Sequence, residues 1–432
     1  MAQIIPFRGV RYNPEKVPAM SAVATPPYDR IDAAQQDIYY ARSPHNIVRI
    51  IKGKPQAGDN GENVYTRAAE TLSAWRRDRI LVRDETPSLY AYHQEYDFAG
   101  ERLVRKGVIA LGRLEPERVH AHERTLKGPK EDRLRLMRAT QANFGHIFML
   151  YSDPARSVDG ALQPVLGTRR PTIEATDDFG NAHRVWQITD PQVVRTVQKT
   201  LADKDLYIAD GHHRYETAVT YMRECQKRGW RPAAPESFDM RMMGLFNIDL
   251  PGMSIRPIHR LLHGLPDYNP QDFLQTASEN FAVERFDTPV AWQDAVSTRR
   301  DQHAFGCYTG GIYAVLTLRD PSVMDRLIPG DWSADFRRLD VSVLHTAILE
   351  ELLGIDAAAL EEQRNVTYTV DAQEGIARVD AGDEQAFFLL NATRPDEVRR
   401  VADHGEKMPQ KSTDFYPKLL TGLVLSVMEI AR

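Results

Sequence analysis

The sequence predicts an α+β protein with a mixed sheet. Strand and helix patterns follow one another along the 432 residues without the strict alternation that produces a doubly wound sheet. Alternate aromatic residues at 90–98, the pair Ala99-Gly100 and an apolar run at 104–111 indicate a β-hairpin. A short apolar strand at 206–209 runs directly into Asp210-Gly211 and then into a helical repeat, which indicates a strand–turn–helix unit.

The length favours two domains, because a single core rarely extends over 432 residues. We predict an N-terminal domain at 1–250, with an N-terminal extension, and a smaller α+β domain at 251–432. Asp340 is expected to cap a helix of the second domain, and the apolar tail at 419–430 is expected to be helical. The other predicted elements are a helix at 64–75, strands at 147–151, 242–248, 312–318 and 387–390, and a helix at 396–404.

Composition excludes several classes of protein. A net charge of −5 argues against nucleic-acid binding through bulk charge. No apolar run approaches the roughly 20 residues that cross a bilayer, and no signal peptide is visible. The two cysteines, Cys225 and Cys307, fit neither a disulfide framework nor a metal-ligand spacing. We therefore expect a cytoplasmic protein without nucleic-acid or membrane partners, and the oligomeric state stays open.

Asp210-Gly211-His212-His213-Arg214 is the segment with the clearest chemistry. Amide groups at a helix start favour an anion, and Gly211 lets a phosphate approach the backbone. Arg214 can bind phosphate oxygens through two hydrogen bonds, and the histidines add donors. Asp210 could take a proton or hold Mg²⁺ together with a phosphate. The structural alternative is a strand–helix corner with Asp210 as N-cap and solvated histidines.

A second group of polar residues lies at His120-Ala121-His122-Glu123-Arg124. It continues into a basic loop that includes Lys130, and this loop could close over a phosphorylated substrate. A competing interpretation takes His120 and His122 as ligands of a catalytic zinc ion. The plain alternative is a solvated, charged turn. Tyr28, in the proline-rich turn at 25–29, is a further candidate for the pocket, with a surface loop as its alternative.

The third candidate segment is 408–418, in which Lys411 and Lys418 flank Ser412, Thr413 and two aromatic residues. Lysine with Ser or Thr is a phosphate-binding combination, although the segment is not a Walker A loop because the upstream glycines are missing. Packing of the aromatic residues is the alternative explanation.

Residues 209–218, Ala-Asp-Gly-His-His-Arg-Tyr-Glu-Thr-Ala, resemble the phosphate-binding turn of the ParB/sulfiredoxin superfamily, which includes the free serine kinases. The whole segment 7–418 also resembles the family known as domain of unknown function 1015. That resemblance rests on Pro-Pro-Tyr-Asp at 26–29, His-Glu-Arg-Thr-Leu at 122–126, the 209–218 turn, and Met-Pro-Gln-Lys-Ser-Thr at 408–413 followed by Phe-Tyr-Pro-Lys at 415–418.

The resemblance to the free serine kinases implies a nucleotide site and a base. A His-Glu pair precedes the turn in those kinases, which places Glu123 as the group that activates the substrate hydroxyl, with an insertion between it and Asp210. The implied ligands are ATP or ADP and Mg²⁺, the last at Asp210. His212, Arg214 and the amides after Gly211 would hold phosphates, and His213 would act in catalysis.

The leading hypothesis is therefore a nucleotide-dependent phosphotransferase that acts on a small, serine-like hydroxyl metabolite. Lys411, Ser412, Thr413 and Lys418 would bind the phosphates from the second domain. His122, Arg124, Lys130 and Tyr28 would contact the substrate. Two alternatives stay open: a phosphatase or other hydrolase of a phosphorylated metabolite, and a non-catalytic nucleotide-binding regulator.

Overall fold

The computed structural model describes residues 3–60, 62–115, 119–121 and 128–432. The chain forms two compact units. Of the described residues, those up to 120, those at 128–254 and Pro417–Arg432 form the first unit, and Ala121 and Ile255–Tyr416 form the second. The C-terminal segment thus belongs to the same unit as the N-terminal sheet.

The strands, labelled in chain order, are β1 (Ile4–Ile5), β2 (Val10–Tyr12), β3 (Leu81–Arg83), β4 (Leu89–Phe98), β5 (Glu101–Arg113), β6 (Val119–Ala121), β7 (Ala142–Asn143), β8 (Ile147–Tyr151), β9 (Ile173–Thr176), β10 (Ala182–Ile188), β11 (Leu206–Asp210), β12 (Arg231–Pro232), β13 (Met240–Asn247), β14 (Ser254–Arg256), β15 (His259–Leu262), β16 (Phe281–Phe286), β17 (Ala304–Thr309), β18 (Ile312–Leu318), β19 (Val366–Thr369), β20 (Ala386–Leu389), β21 (Asp414–Tyr416), β22 (Ser426–Val427) and β23 (Ile430–Ala431).

The α-helices are α1 (Ala33–Arg42), α2 (Val48–Ile51), α3 (Asn63–Arg77), α4 (Gly128–Thr140), α5 (Ser157–Leu166), α6 (Pro191–Ala202), α7 (His212–Lys227), α8 (Pro270–Ala277), α9 (Pro289–Thr298), α10 (Val323–Leu327), α11 (Ala334–Arg337), α12 (Asp340–Val343), α13 (Ala357–Glu362), α14 (Ala372–Asp380) and α15 (Pro395–Asp403). Short 3-10 helices lie at Met20–Ala22 and Tyr28–Arg30, and a π-helix follows α12 at Leu344–Glu350.

The first unit is built on a mixed sheet with the order β6-β11-β8-β13-β5-β4-β10-β9, and β1 also pairs with β5. β8 and β13 are parallel, whereas the pairs β11–β8, β13–β5, β4–β5, β10–β4 and β10–β9 are antiparallel, with registers such as Tyr90↔Ile109 and Tyr207↔Leu150. The predicted mixture of strand directions is therefore present. This sheet positions the site, because β11 ends at Asp210.

The predicted hairpin is confirmed as β4 and β5. Ala99 and Gly100 both have positive φ, which is the requirement of a two-residue turn whose twist matches that of the strands. Tyr90, Tyr92 and Tyr96, an even number of residues apart, are all fully buried, as expected for positions that share one face of a strand.

The predicted helix at 419–430 is wrong. The segment is extended: Thr421 bridges to Thr25, Leu425 bridges to Val10, and β22 and β23 follow. Two physical reasons explain the difference. Gly422 has a φ of +98°, which interrupts a helix. The apolar residues here are buried in succession, without the one-sided pattern of a docked helix.

The second unit contains an antiparallel sheet with the order β16-β18-β17-β20-β15-β19. The predicted strand at 312–318 is β18, and the predicted helix at 396–404 is α15. Asp340 is not the N-cap of its helix. Leu339 takes that position, and the Asp340 carboxylate instead lies 2.9 Å from Nδ1 of His303.

Within the described residues, no helix combines the length and the apolar character that crossing a membrane requires.

Candidate functional site

A glycine turn joins β11 to α7 at the centre of the predicted site. Gly211 has a φ of +95°, a left-handed conformation that residues with a side chain rarely adopt. No side chain among the described residues caps the helix, and the Gly211 carbonyl accepts a hydrogen bond from the Tyr215 amide at 2.9 Å. The start of α7 thus presents amide groups and the positive end of the helix dipole, which favour an anion.

Asp210 lies between two cations at the end of β11. The ammonium Nζ of Lys418 donates a hydrogen bond to Oδ1 of Asp210 at 2.9 Å, and Nη2 of Arg214 donates to Oδ2 at 2.5 Å. Burial would raise the pKa of Asp210, but the charges of Lys418 and Arg214 outweigh it and hold this pKa well below its usual range. Asp210 is therefore an anion near neutral pH and draws both cations to the turn.

Arg214 folds back over the turn that precedes it. Its Nη1 donates to the carbonyl oxygen of His146, and its guanidinium lies 3.0–3.1 Å from the point where a Cβ on Gly211 would be. The side chain is 11% exposed. The absence of a side chain at Gly211 is thus what lets the guanidinium reach Asp210 from the first turn of α7.

A cavity of about 50 Å³ lies against Arg214, within the first unit. One water molecule needs roughly 10–15 Å³ of such space, so this volume suits a group of a few heavy atoms and is too small for a nucleoside. No Asp or Glu is found among the described residues that line it. The lining residues that determine its charge and access are Tyr28, Arg133, Gly145, Arg214, Arg241 and Thr421.

Arg241 is the feature of the cavity wall that the sequence analysis missed. Its side chain lies on β13 and the residue is 4% exposed. Nη2 donates to the Gly145 carbonyl at 3.3 Å, whereas Nε and Nη1 have no hydrogen-bond partner among the described residues. Burial, together with the charge of Arg214, lowers the pKa of Arg241 to about 9.

His146 is a second buried group beside the same turn. It is 1% exposed, and neither ring nitrogen has a hydrogen-bond partner among the described residues. Burial lowers its pKa to about 3, and the charges of Arg214 and Arg241 act in the same direction. The imidazole is therefore neutral, and its ring centroid lies 6.2 Å from that of Tyr92.

Three buried side chains of the hairpin hold residues 417–420, which we name the C-terminal strap. Arg105 donates to the Pro417 carbonyl, Gln94 Nε2 donates to the Lys418 carbonyl at 3.0 Å, and Tyr92 Oη accepts from the Leu420 amide at 3.3 Å. Arg105 also donates from Nε to Gln94 Oε1 at 3.0 Å. The strap is thus fixed to β4 and β5, and this contact places Lys418 beside Asp210.

Tyr28 and Lys130, predicted to contact substrate, have protein partners. The Arg133 guanidinium lies over the Tyr28 ring at 3.8 Å from its centroid, and Tyr28 lines the cavity. Burial, then the charge of Asp29, raises the pKa of Tyr28 to about 12. Lys130 forms an ion pair with Glu216 on α7.

The two histidines of the turn differ in exposure. His212 is buried, and His213 is half-buried. The carbonyl of His213 accepts a hydrogen bond from the Thr217 hydroxyl at 2.7 Å within α7. Their phosphate-binding and catalytic roles stay predictions.

Lys411, Ser412 and Thr413 belong to the second unit, whereas Lys418 belongs to the first. The Ser412 hydroxyl donates to the Pro409 carbonyl at 2.6 Å, and the Lys411 carbonyl accepts from Arg260 at 3.0 Å. Ser412 and Thr413 are buried. These contacts account for the segment as part of the fold of the second unit, and its phosphate-binding role stays a prediction.

His122, Glu123 and Arg124 lie outside the described residues, and so does the side chain of His120. Glu123 follows two residues after the end of β6, which neighbours β11 in the sheet. The roles predicted for these residues stay predictions.

The described residues do not form a magnesium or zinc site. No three His, Cys, Asp or Glu side chains among them are grouped closely enough to hold a metal ion. Each carboxylate oxygen of Asp210 already accepts a hydrogen bond from a cation. A divalent ion at Asp210 would meet two positive charges there, so the residues present do not fit the predicted Mg²⁺.

The signal that could have revealed Arg241 is its position in a strand. Residues 240–247 read Met-Arg-Met-Met-Gly-Leu-Phe-Asn, and every one of them is buried. Arginine is rarely fully buried without a charged partner, so an isolated arginine in such a run is informative once both faces of the strand are known to be covered.

Several solved structures are similar to this chain. A conserved hypothetical protein from Pyrococcus furiosus is 12% identical with a TM-score of 0.35, and the match covers 74% of this chain and 95% of that one. A free serine kinase in complex with AMP is 12% identical with a TM-score of 0.35, covering 71% of this chain and 86% of the other. SbnI with a C-terminal truncation, from Staphylococcus aureus, is 10% identical with a TM-score of 0.34, covering 72% and 85%.

None of the curated proteins matches the chain. A family model described as "Protein of unknown function (DUF1015)" matches residues 4–342, which is more than half of the chain. The chain therefore belongs to the DUF1015 family.

Proposed function

We propose that the protein is a nucleotide-dependent phosphotransferase that acts on a small hydroxyl metabolite, with a serine-like compound as the first acceptor to test. The observation that carries the proposal is the convergence of Lys418 and Arg214 on Asp210, directly before the start of α7. Two cations and a helix start favour the same ligand, a phosphate group.

The local charges support a phosphate more than a structural corner. The pair Asp210–Arg214 would suffice to neutralise the carboxylate, yet Lys418 is brought to it by a segment held by three buried side chains. Apart from Arg133, which is paired with Asp132, the described residues place three cations (Arg214, Arg241 and Lys418) and one carboxylate (Asp210) around the start of α7 and the cavity beside it. A phosphate would offset the excess positive charge.

The proposed reaction transfers the terminal phosphoryl group of a nucleoside triphosphate. The bond from that phosphorus to the bridging oxygen breaks, a bond to the acceptor hydroxyl oxygen forms, and the nucleoside diphosphate leaves. The hydroxyl proton passes to a carboxylate, for which Glu123 is the proposed base. Arg214 and Lys418 would stabilise the charge on the transferred group.

The test is a turnover assay on the full-length protein with ATP and a panel of hydroxyl compounds that includes serine. We expect ADP release that depends on the acceptor. Arg214→Ala should weaken nucleotide binding by about 1.5–3 kcal/mol, the value of a hydrogen bond to a charged group, as measured by calorimetry. Arg195→Ala, at an exposed position of α6, is the matched control and should bind like the wild type.

Glu123→Gln separates binding from chemistry. It should leave nucleotide affinity unchanged and slow the reaction about 10²–10⁴-fold, as expected for loss of a general base. ADP release without any acceptor would instead indicate a hydrolase, and binding without turnover a regulator. Absence of nucleotide and phosphate binding would remove the turn from any such site.

A further inference from the structure

Arg241 has a buried charge for which the described residues supply no counter-charge. Its guanidinium makes one hydrogen bond, to the Gly145 carbonyl, and two of its three nitrogens have no partner among the described residues. The charge of Arg214, which lowers the pKa of Arg241, is also positive. A buried, unpaired cation destabilises a protein, so its presence calls for an explanation.

The cavity offers that explanation, because Arg241 and Arg214 both line it. Their guanidinium groups donate to the neighbouring carbonyls of Gly145 and His146, which places them side by side on the wall. Arg214 is neutralised by Asp210, and Arg133 is paired with Asp132 through a hydrogen bond of 2.8 Å. Arg241 is therefore the cation of this wall whose charge is uncompensated among the described residues.

Gly145 keeps the wall open. A Cβ at this position would lie 3.3 Å from Nη1 of Arg214 and 3.2 Å from Oγ1 of Thr421, closer than most such contacts. Thr421 also lines the cavity, where its hydroxyl adds a polar group to the arginine pair. The wall thus combines two guanidinium groups and a hydroxyl around a small volume.

We propose that this cavity binds one compact oxyanion, a phosphate or a carboxylate group, through Arg241 and Arg214. The guanidinium fork matches two oxygens of such a group, and about 50 Å³ limits the ligand part inside the cavity to the acid group itself. The identity of the anion rests on the proposed function: if that function holds, the anion is the acid group of the acceptor. The acceptor is then a hydroxy acid or a phosphorylated alcohol and not a neutral polyol.

The experiment measures the melting temperature and calorimetric binding of the full chain with sodium phosphate and with sodium acetate, against sodium chloride at equal ionic strength. We expect phosphate or acetate to raise the melting temperature, because a ligand of the native state stabilises it by mass action. A shift with phosphate alone identifies a phosphate group, and a shift with acetate identifies a carboxylate. No shift with either anion overturns the proposal.

Arg241→Met tests the residue. It removes an uncompensated buried charge and keeps an apolar side chain, so without anion the variant should melt at or above the wild-type temperature, and its anion affinity should fall at least tenfold. A lower melting temperature without anion, or retained affinity, overturns the proposal because Arg241 would then be a structural residue. Arg195→Met, at an exposed position, should behave as the wild type does.

Arg241→Lys tests the guanidinium fork separately from the charge. Lysine retains the charge but not the fork, so anion affinity should again fall about tenfold, and unchanged affinity contradicts the proposal. ATP binding distinguishes the two proposals. If the Arg241 variants lose anion binding but neither they nor the wild type bind ATP, only the proposed function is contradicted. If the protein turns over ATP and the Arg241 variants bind anions as the wild type does, only the proposal of an anion site in the cavity is contradicted.

Discussion

The ammonium of Lys418 lies 2.9 Å from the Oδ1 atom of Asp210, although the two residues are 208 positions apart in the sequence. The contact joins the C-terminal strap to the turn before α7, and both side chains are largely buried. It is a long-range ion pair at the point where the backbone favours an anion.

Replacing Lys418 by Met should therefore destabilise the protein. Asp210 keeps Arg214 but loses one of its two cations, and breaking a partly buried pair costs about 2–3 kcal/mol of unfolding free energy. Urea unfolding at neutral pH measures this. Lys227→Met, at the exposed end of α7, is the control and should have little effect. In a double-mutant cycle, Asp210→Asn should recover part of the loss, and simple additivity would show that the two residues are not coupled.

The same pair predicts a change in acid stability. Because the pKa of Asp210 is held below its usual range in the folded state, its ionised form stabilises the fold above the unfolded pKa of about 3.9, and this contribution is lost as the pH falls towards the folded value. Removing the charge of Lys418 raises the folded pKa. Lys418→Met should then unfold at a higher pH than the wild type in a tryptophan-fluorescence titration, and coincident curves would argue against the ion pair.

Gly211→Ala should damage the site more than an equal change elsewhere. At Gly229 the φ is +75° and nothing lies within 4 Å of a Cβ, so Gly229→Ala adds only backbone strain, about 1–2 kcal/mol. At Gly211 the φ is +95° and the Cβ would also meet the Arg214 guanidinium at 3.0–3.1 Å. We expect Gly211→Ala to lose more unfolding free energy than Gly229→Ala does. Only Gly211→Ala should also lose phosphate binding. Equal behaviour of the two variants would mean that Arg214 does not depend on the turn.

Gln94 positions the C-terminal strap, and its amide can be tested alone. Gln94→Glu keeps the shape of the side chain and an oxygen for Arg105, but replaces the donor to the Lys418 carbonyl by an acceptor. Amide hydrogen exchange in residues 418–421 should become faster, as for any segment that opens locally. The control is Gln198→Glu, which removes a similar amide donor to the Ile4 carbonyl in the same unit. Equal exchange in both variants would contradict the role of Gln94.

The sequence revealed the parts of this site that local patterns determine. The strand before Asp210, the glycine turn and α7 all follow from neighbouring residues, as the hairpin of β4 and β5 does. The extended tail was missed because its apolar residues are buried by contacts with residues such as Val10 and Thr25, far away in the sequence. The preference of a segment for helix or strand, as read from its own residues, does not depend on such distant partners.

Arg241 was missed for a related reason. Its neighbours in β13 predict a strand but do not show that both faces are covered, and an arginine at a strand edge would be ordinary. Only the packed sheet shows that its guanidinium is buried and that two of its nitrogens have no hydrogen-bond partner in the part of the chain that the structure describes. The residues Lys411 and Lys418 of the segment 408–418 were predicted to bind phosphates together from the second domain, whereas the fold assigns them to different units.

His146 gives a prediction that depends on burial alone. In the unfolded chain a histidine takes a proton below a pH of about 6.5, whereas the fold lowers the pKa of His146 to about 3. The unfolding free energy of a fold that holds His146 uncharged is therefore unaffected by this group above pH 6.5. It decreases as the pH falls from 6.5 to about 3, by about 1.4 kcal/mol per pH unit for one proton.

His146→Phe removes this titration and costs no hydrogen bond, because neither ring nitrogen has a partner among the described residues. The plot of unfolding free energy against pH should then be less steep by one proton between pH 6.5 and about 3. His93, whose pKa burial lowers to about 4, is the comparison. His93→Phe should reduce the slope only down to about pH 4, so between pH 4 and pH 3 the two variants must differ. Parallel curves for His146→Phe and the wild type would mean that His146 takes up a proton in the folded protein, which is incompatible with its burial and with the positive charges of Arg214 and Arg241 that act on it.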